Sequence, residues 1–234
     1  MTTIPAGTRA AVDAAREEVS ALHALLVRYN LVAWTAGNVS GRVSGADLLV
    51  IKPSGVDYDD LTPQNMVVCD LDGTVVKGEL APSSDTAAHA FIYRAMPHVG
   101  GIVHTHSGYA SAWSAVAEPI PCVLTAMADE FGGEIPIGPF AMIGSEDIGR
   151  GVVRTLEDHR SPAVLMQNHG VFAIGENARA AVKAAVMCED VARTVYLARQ
   201  LGEPVPMAQV DIESLHDRYQ NVYGQRPAAD RRGG

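Results

Sequence analysis

The sequence lacks the features of a membrane protein or a nucleic-acid-binding protein. No apolar run reaches the roughly 18 residues that a membrane-spanning helix needs, and the short polar start at residues 1–7 does not resemble a signal peptide. We therefore expect a cytoplasmic protein that does not act at a membrane. The 18 basic residues are outnumbered by 27 acidic ones and are scattered, apart from Arg231 and Arg232 in the tail. This distribution argues against recruitment of nucleic acid.

Cysteine is also scarce. The chain has three cysteines, an odd number, and no two are close in sequence: Cys69, Cys122 and Cys188. Each lies in an apolar stretch, so we expect them to be buried thiols in a reducing compartment and to carry no chemistry. With 47% hydrophobic residues, the chain can form one α/β domain over residues 1–234 with a well-buried core. The polar tail at residues 226–234 is expected to be disordered.

Apolar periodicity predicts an alternation of helices and strands. Asp72-Gly73 between two β-branched runs is typical of a hairpin, so the sheet is at least partly antiparallel. Ser83 or Ser84 is expected to cap a helix that Pro97 stops. Further helices are predicted at residues 8–29, 108–116, 145–156, 176–201 and 212–219, and strands at residues 48–51, 66–71, 74–76, 120–124, 163–166 and 170–174.

Two polar turns bracket the predicted strand at residues 48–51. The first, at residues 35–41, is rich in glycine and small polar residues and is interpreted as a loop entering the sheet. The second is Lys52-Pro53-Ser54-Gly55. Backbone N–H groups, hydroxyls, an amide and one ammonium are the groups that hold phosphate. The alternative is that both segments are ordinary turns, and neither is a Walker or Rossmann fingerprint.

A short apolar strand ends in two histidines, His104 and His106. Because side chains alternate along a strand, both imidazoles project to the same side and form half of a metal site. His169 follows another apolar run, and Asp85 lies where a helix should begin. Three neutral imidazoles with a carboxylate or water would satisfy a divalent metal such as zinc and leave a position open for substrate.

Other candidate residues have simpler interpretations. Asp85 in a first helical turn also favours the helix dipole. His89 is one turn further along the same face and is a candidate partner of Asp85, although such a histidine is more often just packed. His23 is interpreted as a solvated or core-edge residue of the first helix. Asp129 lies in an acidic, Gly-Gly-terminated segment, residues 125–133, which is a candidate active-site loop or a solvated one.

Six short motifs together resemble the class II aldolase and L-ribulose-5-phosphate 4-epimerase family, in the order found there and over residues 8–225. Each motif alone is weak, but six in order are specific. They are Gly37-Asn38-Val39-Ser40, Lys52-Pro53-Ser54-Gly55, Pro82-Ser83-Ser84-Asp85, His104-Thr105-His106, Asn168-His169-Gly170 and Tyr223-Gly224-Gln225.

The resemblance implies a three-layer α/β/α fold with a mostly antiparallel central sheet. It also implies a four-fold symmetric homotetramer with active sites between subunits and a small-molecule sugar phosphate as substrate. By family position, His104, His106 and His169 bind Zn²⁺, with Mn²⁺ or Co²⁺ as alternatives and Asp85 beside the metal. The residues that fall where the substrate phosphate is held are Gly37, Asn38, Lys52, Ser54, Gly55, Ser83 and Ser84.

Two residues favour the epimerase branch of that family. Asp85 stands where the aldolases usually have a longer glutamate, and Asp129 resembles the acid/base of the epimerase loop, with Tyr223 as the second acid/base. The implied reaction converts L-ribulose 5-phosphate to D-xylulose 5-phosphate by breaking and re-forming the C3–C4 bond. Met127 departs from the pattern, since epimerases often have histidine there, and His216 matches a second catalytic histidine only across a gap.

The alternatives implied by the same resemblance are a sugar-phosphate aldolase of the L-fuculose-1-phosphate type, a related decarboxylase, and a binding module like the adducin head. Adducin heads need no metal triad, whereas this chain has all three histidines.

Overall fold

The computed structural model describes residues 6–222. The helices in this range are α1 (Arg9–Arg28), α2 (Thr86–Ala95), α3 (Gly108–Ala115), α4 (Thr125–Phe131), α5 (Asp147–Leu156), α6 (Ala178–Leu201) and α7 (Gln209–Asn221). The strands are β1 (Asn38–Arg42), β2 (Leu48–Ile51), β3 (Val67–Asp70), β4 (Val75–Lys77), β5 (Gly101–Thr105), β6 (Ile137–Gly138), β7 (Ala163–Met166) and β8 (Gly170–Gly175).

The strands form one mixed sheet in the order β4-β3-β2-β1-β5-β8-β7-β6. All neighbouring pairs are antiparallel except β6 and β7, which are parallel. The predicted hairpin at Asp72-Gly73 is confirmed, because it joins the antiparallel strands β3 and β4. The central position of β5 places the end of the strand that carries His104 between β1 and β8.

Alternation of side chains divides the core into two layers. Val103 packs with residues of α1, α3 and α6 on one face of the sheet. Its neighbour Ile102 packs with residues of α2 and α5 on the other face. The expected three-layer α/β/α fold with a mostly antiparallel sheet is therefore confirmed, and His104 belongs to the face that α2 covers.

Three local predictions were wrong. Residues 35–41 are not a loop throughout, because β1 begins at Asn38 and lies at the middle of the sheet. Residues 120–124 form no strand, and only Ile120 makes an isolated bridge, to Ile135. Residues 125–133 are mostly helical: α4 ends where Gly132 adopts a left-handed conformation with φ +62°.

Two further expectations need correction. Ser83 and Ser84 do not cap α2 by side-chain bonds to its first turn; the N-cap position belongs to Asp85, and the Ser83 hydroxyl accepts from the Asp85 N–H at 3.3 Å. Cys69 and Cys188 are buried as expected, but Cys122 is only partly so.

Among the described helices, none is long and apolar enough to span a bilayer.

His23 is a buried residue and not a solvated one. Only 1% of it is exposed; its Nδ1 donates to the Val19 carbonyl at 2.7 Å, and its Nε2 accepts from the Val39 N–H at 3.0 Å. These two bonds tie α1 to β1. Burial lowers the pKa of His23 to about 3, with the Val19 bond opposing and the Lys52 charge adding to the shift.

A lowered folded-state pKa makes His23 a source of acid sensitivity. The unfolded chain binds a proton below about pH 6.5 whereas folded His23 does not, so stability falls as the pH drops below that value. Between pH 7 and about pH 5, we expect the free energy of unfolding to fall by about 2 kcal/mol less in His23→Gln than in the unmodified protein. Urea unfolding of metal-free protein at both pH values measures this. His98→Gln, at an exposed histidine, is the control, and an equal loss in both variants would contradict the assignment.

Candidate active site

Three imidazoles converge at one end of the sheet. His104 is in β5, His106 follows that strand directly, and His169 lies in the turn between β7 and β8. Their ring centroids are 4.7 Å (His104 to His106), 4.7 Å (His104 to His169) and 5.2 Å (His106 to His169) apart. One potential ligand atom from each residue lies within 4.8 Å of the other two. The antiparallel pairing of β5 with β8 is what brings His169 beside the other two.

His104 is held on several sides. Its Nδ1 lies 2.9 Å from the Val171 carbonyl, to which it donates, and its ring stacks on Phe172 with centroids 4.3 Å apart. Because the proton is on Nδ1, the lone pair of Nε2 is free, and this atom faces the His106 Nε2 at 2.9 Å. Such a tautomer is the one that a metal ligand needs.

The cluster has the chemical state of a metal site. Burial lowers the pKa of His104 to about 3 and also lowers the pKa values of His106 and His169, so all three imidazoles are neutral near pH 7. The Nδ1 of His169 is buried without a hydrogen-bond partner among the described residues. Neutral, converging nitrogens of this kind fit a divalent ion such as Zn²⁺.

A buried amide and carboxylate lie beside the imidazoles. Asn38 in β1 pairs directly with His104 in β5, and its Nδ2 donates to Asp85 Oδ2 at 2.7 Å and to Ser83 Oγ at 3.0 Å. Burial raises the pKa of Asp85, but its interactions with the His104 and His89 imidazoles and the hydrogen bond from Asn38 together outweigh that effect, so the pKa lies below its usual value. Asp85 is therefore a carboxylate that faces the imidazole cluster.

One cavity of about 280 Å³ combines these groups with the predicted phosphate-binding residues. A larger cleft of about 640 Å³ lies at the other end of β5, but no histidine lines it. The smaller cavity is lined by Thr35, Ala36, Gly37, Asn38, Lys52, Pro53, Ser54, Gly55, Ser83, Ser84, Asp85, His104, His106, Ile143 and His169. Sequence reasoning missed Ile143, since nothing in its local pattern indicates a contribution to a polar site.

Lys52 provides a buried cation in this cavity. Only 2% of the residue is exposed, and its Nζ donates to the carbonyls of Thr35 at 3.1 Å and Pro53 at 3.4 Å. Burial lowers the pKa of Lys52, while the charge of Asp57 opposes the shift. Among the ion pairs within residues 6–222, none includes Lys52. An anionic ligand would therefore meet an ammonium that has no carboxylate partner there.

The loop before β1 requires glycine at position 37. Gly37 has φ +81°, and a Cβ there would lie 2.8 Å from Val32 Cγ1 and 2.9 Å from the His104 carbonyl oxygen. The Tyr58 hydroxyl donates to the Ala36 carbonyl at 2.9 Å and fixes the same loop. The glycine thus allows the polar loop to approach β5 closely.

The proposed acid/base residues lie elsewhere. Asp129 is on α4, where its Oδ1 is 3.5 Å from Arg218 and its carbonyl accepts from His216 Nδ1 at 3.0 Å. It does not line the cavity of its own chain. Met127 is fully buried, so it does not face a substrate within this chain. Tyr223 lies outside the described residues.

His89 forms a buried network behind the cavity. Its Nδ1 is 2.7 Å from Ser40 Oγ, which is in turn 2.8 Å from the Tyr93 hydroxyl. Burial lowers the pKa of His89 to about 4, with the charge of Asp85 opposing. The predicted pairing with Asp85 is thus electrostatic, and the hydrogen-bond partner is Ser40, which the sequence spacing does not reveal.

Removal of one imidazole tests the metal site. We expect His106→Ala to lose the metal, because two nitrogens bind a divalent ion much more weakly than three. Elemental analysis of protein purified without chelator measures the ion per chain. His98→Ala, at an exposed histidine, is the matched control and should keep its metal. Equal metal content in both variants would contradict the site, and a metal-free unmodified protein would favour a binding module.

Comparison with known proteins gives a consistent assignment. The chain is 28% identical to an L-fuculose 1-phosphate aldolase of known structure, with a TM-score of 0.83, and the match covers 88% of this chain and 96% of that one. It is 26% identical to the L-fuculose-1-phosphate aldolase from Thermus thermophilus, with a TM-score of 0.68, and that match covers 86% of this chain and 100% of the other. It is also 25% identical to YgbL, "a putative aldolase/epimerase/decarboxylase" from Klebsiella pneumoniae, with a TM-score of 0.76, and this match covers 87% of this chain and 98% of that one. Residues 17–196 match the family described as "Class II Aldolase and Adducin N-terminal domain". The chain belongs to this family.

Proposed function

We propose that the protein is a metal-dependent enzyme that breaks and re-forms the C3–C4 bond of a ketose phosphate, and that its reaction is the C4 epimerisation of L-ribulose 5-phosphate to D-xylulose 5-phosphate. The observation that carries this proposal is the shared cavity. Three neutral imidazoles and a phosphate-type cradle around Lys52 line the same space of about 280 Å³. One substrate can therefore contact both.

Each part of the cavity has a role in this proposal. His104, His106 and His169 would hold a divalent ion, which would supply Lewis-acid chemistry for the ketose when bound. The substrate phosphate is held by a set of backbone, hydroxyl, amide and ammonium groups from Gly37, Asn38, Lys52, Ser54, Gly55, Ser83 and Ser84. These contacts retain the aldehyde fragment, glycolaldehyde phosphate, while the fragment rotates and re-adds through its other face.

Asp85 supports epimerisation over cleavage. Asp85 is the N-cap residue of α2, and its carboxylate is held by the 2.7 Å hydrogen bond from Asn38. The shorter side chain therefore cannot extend toward the reacting carbons as a glutamate could. In the proposed reaction Asp85 stays beside the ion, and proton transfer is left to other groups. Those groups are Asp129 and Tyr223, which exchange the C4 hydroxyl proton on opposite faces.

The position of Asp129 favours an assembly with shared sites. Asp129 is on α4 beside α7 and away from the cavity of its own chain. We therefore place it in the cavity of a neighbouring subunit of a homotetramer. In that arrangement, α4 supplies Asp129, and the imidazole cluster of the neighbour would hold the ion.

Aldol cleavage is the second candidate, favoured by the similarity to two L-fuculose 1-phosphate aldolases at 28% and 26% identity. Both reactions share the breaking of the C3–C4 bond. They differ in whether the aldehyde fragment stays bound. Separate incubations with L-ribulose 5-phosphate and with L-fuculose 1-phosphate distinguish them. Formation of D-xylulose 5-phosphate from the first substrate supports epimerisation. Free aldehyde without epimer from the first substrate, or turnover of the second substrate alone, supports cleavage.

Asp129 is the residue that tests the acid/base assignment. We expect Asp129→Asn to keep its metal but to lose about 10²-fold or more in turnover, because an amide cannot exchange the hydroxyl proton. Epimer formation and metal content are measured on the same samples. Asp211→Asn, at an exposed carboxylate of α7, is the control. Unchanged turnover in Asp129→Asn would remove Asp129 from the mechanism.

A further inference from the structure

Helix α3 connects two of the three imidazoles. Its first residue, Gly108, follows His106 after a single intervening residue, Ser107. At its other end, the Ser114 carbonyl accepts from the backbone N–H of Asn168 at 3.0 Å, and Asn168 directly precedes His169. The position of α3 therefore affects His106 through the chain and His169 through a hydrogen bond.

These two imidazoles need external support more than His104 does. His104 is 2% exposed and is fixed by Val171 and Phe172, whereas His106 is only partly covered by the protein and His169 is half-buried. Among residues 6–222, the only atom within hydrogen-bond distance of a His106 ring nitrogen is His104 Nε2, at 2.9 Å. Its placement accordingly depends on the backbone that leads into α3.

A carboxylate from a distant helix anchors the start of α3. Glu189 of α6 accepts from the N–H of Tyr109 through Oε1 and from the N–H of Ala110 through Oε2, both at 2.9 Å. The N-cap residue Ser107 makes no side-chain bond to the helix. Glu189 therefore does what an N-cap side chain usually does, and its negative charge also complements the helix dipole.

A second contact anchors the other end of α3 on the same helix. Trp113 is 5% exposed, and its indole N–H donates to the Ala192 carbonyl of α6 at 3.1 Å. Its ring lies beneath the Arg199 guanidinium, 4.3 Å from the centroid. Both ends of α3 are thus fixed to α6.

We propose that α3 is a positioning element for the metal site: docked on α6 by Glu189 and Trp113, it sets the separation of His106 and His169 and thereby the affinity for a divalent ion. The inference rests on the metal-dependent function proposed above. Neither Glu189 nor Trp113 lines the cavity that contains the imidazoles, so their effect is exerted through His106 and His169.

The test compares metal affinity with folding stability. Zn²⁺ affinity is measured by chelator competition, and the geometry of the site by the visible absorption of Co²⁺-loaded protein. Glu189→Ala is expected to weaken Zn²⁺ binding about tenfold and to change the Co²⁺ spectrum, as is typical when support for a ligand is removed. Trp113→Phe, which keeps a ring but loses the N–H, and Glu189→Gln, which keeps one acceptor, are expected to show smaller losses in the same direction.

Val12→Ala is the matched control for a purely structural effect. Val12 is a fully buried core residue of α1 that makes neither of the two contacts anchoring α3, and its truncation is expected to lower thermal stability. The inference is overturned if Glu189→Gln and Trp113→Phe, like Val12→Ala, lower the melting temperature but keep the Zn²⁺ affinity and Co²⁺ spectrum of the unmodified protein. These two variants decide the outcome even where Glu189→Ala does not fold. An unmodified protein that binds no metal would instead overturn the metal-dependent function, and this inference with it.

Discussion

The antiparallel pairing of β1 with β5 is the constraint on which the site depends. It sets Asn38 opposite His104, so that the polar loop before β1 and the imidazole at the end of β5 face the same cavity. Because side chains alternate along a strand, a slip of one residue in either strand would turn one of these groups into the opposite layer of the core. Gly37 allows the close approach that this register needs, since a Cβ would lie 2.9 Å from the His104 carbonyl.

Burial gives the site an electrostatic character that the whole chain does not have. The formal net charge is −9, yet the cavity contains a buried ammonium at Lys52 and three imidazoles that burial keeps neutral. The Lys52 ammonium donates to two backbone carbonyls but has no carboxylate partner among the described residues, and a phosphate would offset the cost of burying its charge. The buried carboxylate of Asp85 is stabilised separately, by the hydrogen bond that it accepts from Asn38. In the proposed function, the phosphate and the divalent ion would therefore be held by separate groups of the same cavity.

Local patterns predicted some of this arrangement, and long-range contacts decided the rest. Alternation was enough to place His104 and His106 on one side of a strand. β1 was missed because Gly37, Asn38 and Gly41 are typical of turns, and its central position follows from strands far away in sequence. α4 was missed because its acidic residues and terminal glycines suggest a loop, whereas Met127, Ala128 and Phe131 pack in the core. The bond from Asn38 to Asp85 spans 47 residues, and no periodicity indicates it.

In the proposed function, the groups that act on the substrate are divided between the sheet and a short helix outside it. His104 is fixed by strands on both sides and by Phe172, so the part of the site that would hold the ion is set by the sheet. Asp129 is instead on a seven-residue helix whose neighbour is α7, outside the sheet. In the proposed assembly, the arrangement of subunits fixes the distance from acid/base to substrate, while the sheet fixes the imidazole cluster. In that assembly, changes at α4 would alter the fate of the aldehyde fragment, and so the choice between epimerisation and cleavage, without altering the imidazole cluster.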